Sequence, residues 1–171
     1  MTGEELRFVA VAQGDALAGP LLAELAAEYS QRYGGTEEAQ LRSLRDHPAD
    51  DFAPPWGGLF IGVGADGTPL TGGAFRRFGD VDGQLTAELK RIWTSRGARR
   101  RGLATATMAR LEAEIAHRGY RRIYLMTGDR QPEAEGLYTS LGYQRLPAPL
   151  SGRGPVYPVA FAKVLTPEVS A

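Results

Sequence analysis

The sequence has no cysteine, which removes disulfides, thiolate metal ligands and a cysteine nucleophile from consideration. Histidine is nearly absent as well: His47 and His117 stand far apart, without the spacing of a metal-ligand pair, so no metal site is expected. Lysine occurs only at Lys90 and Lys163, leaving arginine to carry the basic charge. There is also no excess of either sign, because twenty Lys and Arg balance twenty Asp and Glu. Nucleic acid and anionic membrane therefore find no overall basic field. No apolar run approaches the roughly 20 residues that cross a bilayer, and the N-terminus lacks the basic and apolar regions of a signal peptide. A cytoplasmic protein with no membrane partner and no nucleic-acid partner is the expectation.

What is present is ordinary globular material. With 171 residues, 43% hydrophobic and 23% charged, the chain can bury one substantial core, and one compact domain over 1–171 is expected. Residues 6–11 read as a strand. Gly19-Pro20 suits a helix entry, followed by Leu21, Leu22, Leu25 and Tyr29 at near-helical spacing. Thr36 caps a second helix with Glu37 and Glu38 in its first turn, and residues 46–58 read as loop. Strands over 59–63 and 70–78 flank the hairpin signal Asp66-Gly67. A polar turn over 79–83 and a strand over 86–94 complete an antiparallel meander.

The pattern then changes. Ala104, Met108, Leu111 and Ile115 define a helix over 103–118, stopped by Gly119. A strand over 123–127 and a short helix over 132–141 follow, and strands over 143–146 and 156–164 end the chain. Strand, glycine loop, helix, strand is a βαβ unit, so the strands near 90 and 125 are expected to run parallel. The fold class is α+β: a mixed, mostly antiparallel central sheet with helices on both faces and a βαβ core.

The loop of that unit reads Arg96-Gly97-Ala98-Arg99-Arg100-Arg101-Gly102-Leu103. Helix N-termini expose amides and partial positive charge, so four arginines in six residues beside one are unfavourable unless an anion sits among them. A Walker string Gly-x-x-x-x-Gly-Lys-Ser/Thr does not occur, and the loop comes too late in the chain for a Rossmann site. With Arg99, Gly102 and Ala104 matching Arg/Gln-x-x-Gly-x-Gly/Ala, the chain resembles the GNAT N-acetyltransferase superfamily. The resemblance begins at Ala87-Glu88-Leu89-Lys90-Arg91-Ile92-Trp93-Thr94, which looks like the family's central strand. It continues through Glu135-Gly136-Leu137-Tyr138-Thr139-Ser140-Leu141-Gly142-Tyr143, which looks like its fourth helix and the turn after it. The chain departs from the family where many members have Val-x-Pro and it has Thr94-Ser95-Arg96, and in the Pro- and Gly-rich segment 147–155 on the acceptor side.

The resemblance implies acetyl-CoA as cosubstrate and direct transfer of acetyl to a primary amine of a small molecule. A protein or peptide amine, or a non-catalytic acyl-CoA-binding module, is the alternative, and many relatives form homodimers. It implies that main-chain groups of Ile92, Trp93 and Thr94 align the pantetheine and thioester. Arg99, Arg100, Arg101, Gly102, Leu103, Ala104 and Thr105 would hold the pyrophosphate. Glu88 matches a position that collects the acceptor's proton; read from the residues alone it is equally a partner for Arg76 or Arg77 on the neighbouring strand. Tyr138 matches a phenol that protonates the departing thiolate, its other reading being a core ring. Tyr143 reads as packing and His117 as a helix-end cation. His47, Phe52 and Trp56 belong to a segment that in the family often walls the acceptor site.

Overall fold

The computed structural model describes residues 6–129, 131–152 and 156–165. One seven-stranded sheet organises them: β1 (Arg7–Ala10), β2 (Gly58–Val63), β3 (Pro69–Val81), β4 (Gln84–Thr94), β5 (Arg122–Thr127), β6 (Gln144–Arg145) and β7 (Val159–Val164), in the order β1-β2-β3-β4-β5-β7-β6. Every neighbouring pair is antiparallel except β4 and β5, which run parallel as the βαβ pattern requires. Four helices among the described residues cover the sheet: α1 (Gly19–Tyr33), α2 (Glu37–Asp46), α3 (Leu103–His117) and α4 (Pro132–Ser140). None of the helices described is long and apolar enough to cross a membrane.

Alternation along the strands splits the interior into two cores. Leu59, Ile61, Val63, Ala74 and Trp93 pack with α1 and the turn at Phe52. Phe60, Phe75, Ala87, Leu89, Ile123 and Leu125 pack with Met108, Leu111 and Ile115 of α3 and with Tyr138 of α4. The helix starts follow their sequence signals. Thr36 Oγ1 accepts from Ala39 N–H at 3.1 Å, and Pro20 stands in the first turn of α1.

Three boundaries move. The turn read over 79–83 tightens to Asp82-Gly83, both at positive φ, as a two-residue I′ hairpin requires, so β3 and β4 are longer than their apolar runs. The last strand starts at Val159 rather than 156, after Pro158, which has no N–H to give a ladder. The loop at 46–58 contains a 3-10 turn at Ala49–Phe52 whose Phe52 is buried.

The feature that positions the site lies in β4. Ala74 pairs with Lys90 and Gly72 with Trp93, so Arg91 and Ile92 together oppose Gly73, and Arg91 has φ +59. This is a β-bulge, which bends a strand and leaves main-chain groups out of the ladder. Gly73 accommodates it: a Cβ there would meet Ile92 Cδ1 at 2.6 Å and Leu111 Cδ1 at 2.8 Å. A left-handed residue other than glycine costs about 1–2 kcal/mol, and here buried bonds hold it. Arg91 donates to Gln13 Oε1 at 2.8 Å and to the Leu44 carbonyl at 2.7 Å, and its guanidinium lies 4.8 Å from the Phe52 ring centroid. Gln13 in turn donates to the carbonyls of Arg45 and His47. The otherwise open C-terminal carbonyls of α2 thus anchor the bulge.

Candidate active site

Pairing between β4 and β5 runs only from Thr86↔Arg122 to Glu88↔Tyr124. Beyond Glu88 the strands diverge toward the bulge, and a cleft opens between them. Three cavities string along it. The innermost, about 100 Å³, lies between Lys90, Arg91 and Ile92 of β4 and Leu125, Met126 and Thr127 of β5, with Tyr29, Tyr33, Tyr138 and Tyr157 around it. The next, about 380 Å³, shares Glu28, Ile92 and Gln131 with the first and adds Trp93, Thr94 and Arg99. The outermost, about 630 Å³, shares Thr94, Arg99, Glu133 and Ala134 with the second and reaches the start of α3 at Gly102, Leu103, Ala104 and Thr105. The shared walls make one path from the helix N-terminus to the bulge.

At the outer end Gly102 is the N-cap of α3, at φ +74, with open space where a Cβ would stand. Its carbonyl accepts from Ala106 N–H, as a first helical turn demands, leaving the amides ahead of it without an intrahelical partner. Amides and dipole together form an anion seat. A buried hydroxyl pair ties this end to β4. Thr71 Oγ1 lies 2.9 Å from the Trp93 carbonyl and Thr107 Oγ1 2.9 Å from the Leu103 carbonyl; at 2.5 Å apart, one hydroxyl donates to the other, which donates on to its own carbonyl.

The arginine cluster is divided. Arg99 and Arg100 line the outermost cavity, while Arg101 lines none of the three. The expectation that only a bound anion would relieve the cluster is corrected by α1: Arg99 is ion-paired to Glu28, and Arg96 N–H donates to Glu24 Oε1 at 3.0 Å. Part of the compensating charge is built into the fold.

Ile92, Trp93 and Thr94 line the middle of the path, and Tyr138 faces the innermost cavity. The Tyr138 ring packs on Tyr143 and Phe161 at 5.9 and 5.8 Å between centroids, and burial pushes its phenol up to about 12. Its hydroxyl has no hydrogen-bond partner among the described residues. Tyr143 is a packing residue that donates to Glu112 Oε2 at 2.8 Å.

Glu88 is fully buried on the α1–α2 face of β4. Its Oε1 accepts from Arg76 Nε at 2.9 Å, and Oε2 is buried without a partner. Arg76 continues to Asp51 Oδ2 at 3.2 Å, and the same oxygen lies 2.9 Å from His47 Nε2. The ion-pair reading of Glu88 is thus observed with Arg76; Oε2 is left open, and Glu88 lines none of the three cavities. His47 stacks on Phe52, and burial holds its imidazole below the usual range. His47, Phe52 and Trp56 line none of the three cavities; Trp56 lies under the Arg77 guanidinium instead. His117 ends α3.

The sequence reading did not single out Lys90, Tyr33 or Tyr157 as lining residues, nor the role of Arg91. A left-handed arginine carries no local signal, and the bulge that turns Lys90 and Arg91 to the same face is set by pairing with β3.

A family profile described as Acetyltransferase (GNAT) family matches residues 21–143. The chain belongs to the GNAT acetyltransferase family. Solved structures agree on the fold. An acetyltransferase of GNAT family from Staphylococcus aureus Mu50 superposes with a TM-score of 0.71 at 12% identity, covering 94% of this chain and 99% of that one. The PaiA N-acetyltransferase from Thermoplasma acidophilum, solved in complex with coenzyme A, gives 0.72 at 12% identity with 94% and 99% covered. An acetyltransferase from Thermus thermophilus gives 0.67 at 18% identity with 94% and 97% covered. A search of curated proteins found no match.

Proposed function

We propose that this GNAT protein transfers acetyl from acetyl-CoA to a primary amine of a small molecule by direct attack of the amine on the thioester. The observation that carries the reading is the continuous path from the open, left-handed Gly102 at the α3 N-terminus to the bulge at Arg91–Ile92. Its outer end supplies amides to a diphosphate, and its inner end supplies a proton donor in Tyr138. Acetyl-CoA brings the activated acyl group. A small acceptor fits better than a protein side because the innermost cavity is only about 100 Å³ and walled by side chains from α1, β4, β5 and α4.

In this mechanism the amides of residues 102–105, with Arg99 and Arg100, hold the diphosphate. Main-chain groups of Ile92 to Thr94, which have no β5 partner because that pairing ends at Glu88, align the pantetheine and carbonyl. Glu88 collects the acceptor's proton through water on Oε2 while Arg76 fixes Oε1. As the nitrogen–carbon bond forms and the carbon–sulfur bond breaks, Tyr138 donates to the sulfur. A phenol near 12 matches a leaving thiolate only if the site disfavours both anions, and the burial that raises the phenol acts on the sulfur too. A screen of amine acceptors with detection of the released thiol tests the proposal. Acetyl-CoA- and amine-dependent thiol release supports it, and CoA binding with no release for any amine class argues for the binding-module alternative.

A further inference from the structure

The innermost cavity holds a charge that the mechanism above does not use. Lys90 is directly before the bulge, on the same face of β4 as Glu88 two residues earlier. Its side chain is largely withdrawn from water, and Nζ stands 5.8 Å from the Tyr157 ring centroid. Of the other charges around it, Glu28 is paired with Arg99, Arg91 is bonded to Gln13 and the Leu44 carbonyl, and Glu88 gives Oε1 to Arg76 while its Oε2 makes no bond to Lys90. Among the described residues, no hydrogen bond or ion pair reaches Lys90 Nζ. Burial accordingly pushes this ammonium below its usual range, against the pull of the Glu88 charge.

A largely buried cation that no carboxylate contacts is costly, and an anion bonded to it in the cavity lowers that cost. The phenols of Tyr29, Tyr33 and Tyr157 surround the same space and add hydrogen-bond donors. We infer that the acceptor is a small amine that also carries a carboxylate, and that Lys90 Nζ seats that carboxylate. The inference rests on the acetyltransfer reading and adds the acceptor's chemical class.

Because the chain has only two lysines, the seat is directly observable. Protein grown with [13Cε]lysine should give two lysine signals, assigned with Lys90→Arg. Lys163, paired with Glu112 at 2.9 Å, is the internal control. With CoA bound, titration of N-acetylglycine should shift the Lys90 signal saturably and move its ionisation upward. N-acetylglycinamide should leave it unchanged, and Lys163 should respond to neither. No response of Lys90 to N-acetylglycine, or equal responses to acid and amide, would overturn the assignment. In turnover, free amino acids should exceed their amides in kcat/KM by about 10- to 100-fold, the value of a charge-assisted bond. Lys90→Met should erase that preference through KM, and Lys90→Arg should keep it. Equal loss for acids and amides would likewise overturn the assignment. Absence of CoA binding would defeat the acetyltransfer reading itself, whereas CoA binding beside a silent Lys90 defeats only the acceptor class.

Discussion

Replacing Tyr138 with Phe isolates one proton. The ring contacts with Tyr143 and Phe161 stay, and the hydroxyl is not bonded to any described residue, so folding stability should change by less than about 1 kcal/mol. At neutral pH a phenol near 12 is ionised in roughly one molecule in 10⁵, so essentially every wild-type molecule carries the donor. General acid assistance is worth about 10²- to 10⁴-fold, and Tyr138→Phe should lower kcat by that much with acetyl-CoA affinity nearly unchanged. The assay is thiol release under conditions where chemistry limits the rate, with calorimetric binding of acetyl-CoA beside it. Wild type should show no alkaline loss of rate from this group anywhere below about pH 11. If folded Tyr138→Phe keeps the wild-type kcat, the phenol is a packing residue and the sulfur is protonated by another group.

Three further outcomes follow from the same geometry. Glu88→Gln keeps an acceptor for Arg76 but removes the basic oxygen, so kcat should fall about 100-fold while thermal unfolding moves little; an unchanged kcat would leave Glu88 as an ion-pair residue only. Gly102→Asp puts a carboxylate where diphosphate meets the α3 amides, so acetyl-CoA affinity should fall about 100-fold or more by calorimetry. Arg99→Ala should cost less, since Arg99 is shared with Glu28. The His47 imidazole is held down in the fold, so below about pH 6.5 the unfolded chain binds more protons and stability is lost as pH falls through the folded value. Urea unfolding at pH 7.5 and 5.5 should show a smaller acid loss in His47→Gln than in wild type; an equal loss in both would contradict the shift.

The parts of this molecule that were legible in the sequence are those fixed by local chemistry. Thr36 as a cap, Asp66-Gly67 as a turn, Gly102 ahead of a helix and the spacing of Met108, Leu111 and Ile115 each depend on neighbours within a few residues. The chain order of strand, loop and helix then placed β4 beside β5 and brought Ile92, Thr94, Gly102 and Tyr138 to one cleft. What was not legible depends on distant pairing. The bulge at Arg91 follows from the register with Gly72 and Ala74, and its anchors at Gln13 and Leu44 are tens of residues away. The pairing of Arg99 with Glu28 joins two elements whose separation in sequence hides their contact, and it changed how the arginine cluster is understood. Lys90 drew no notice because a single lysine in a strand is ordinary until its neighbours are known.

The central claim is that the path from Gly102 to the bulge is an acetyl-CoA site, and calorimetric titration of the full chain with acetyl-CoA tests it most directly. The account predicts saturable binding at one site per chain, weakened strongly in folded Gly102→Asp. No binding at millimolar acetyl-CoA, or equal affinity in wild type and Gly102→Asp, would contradict it.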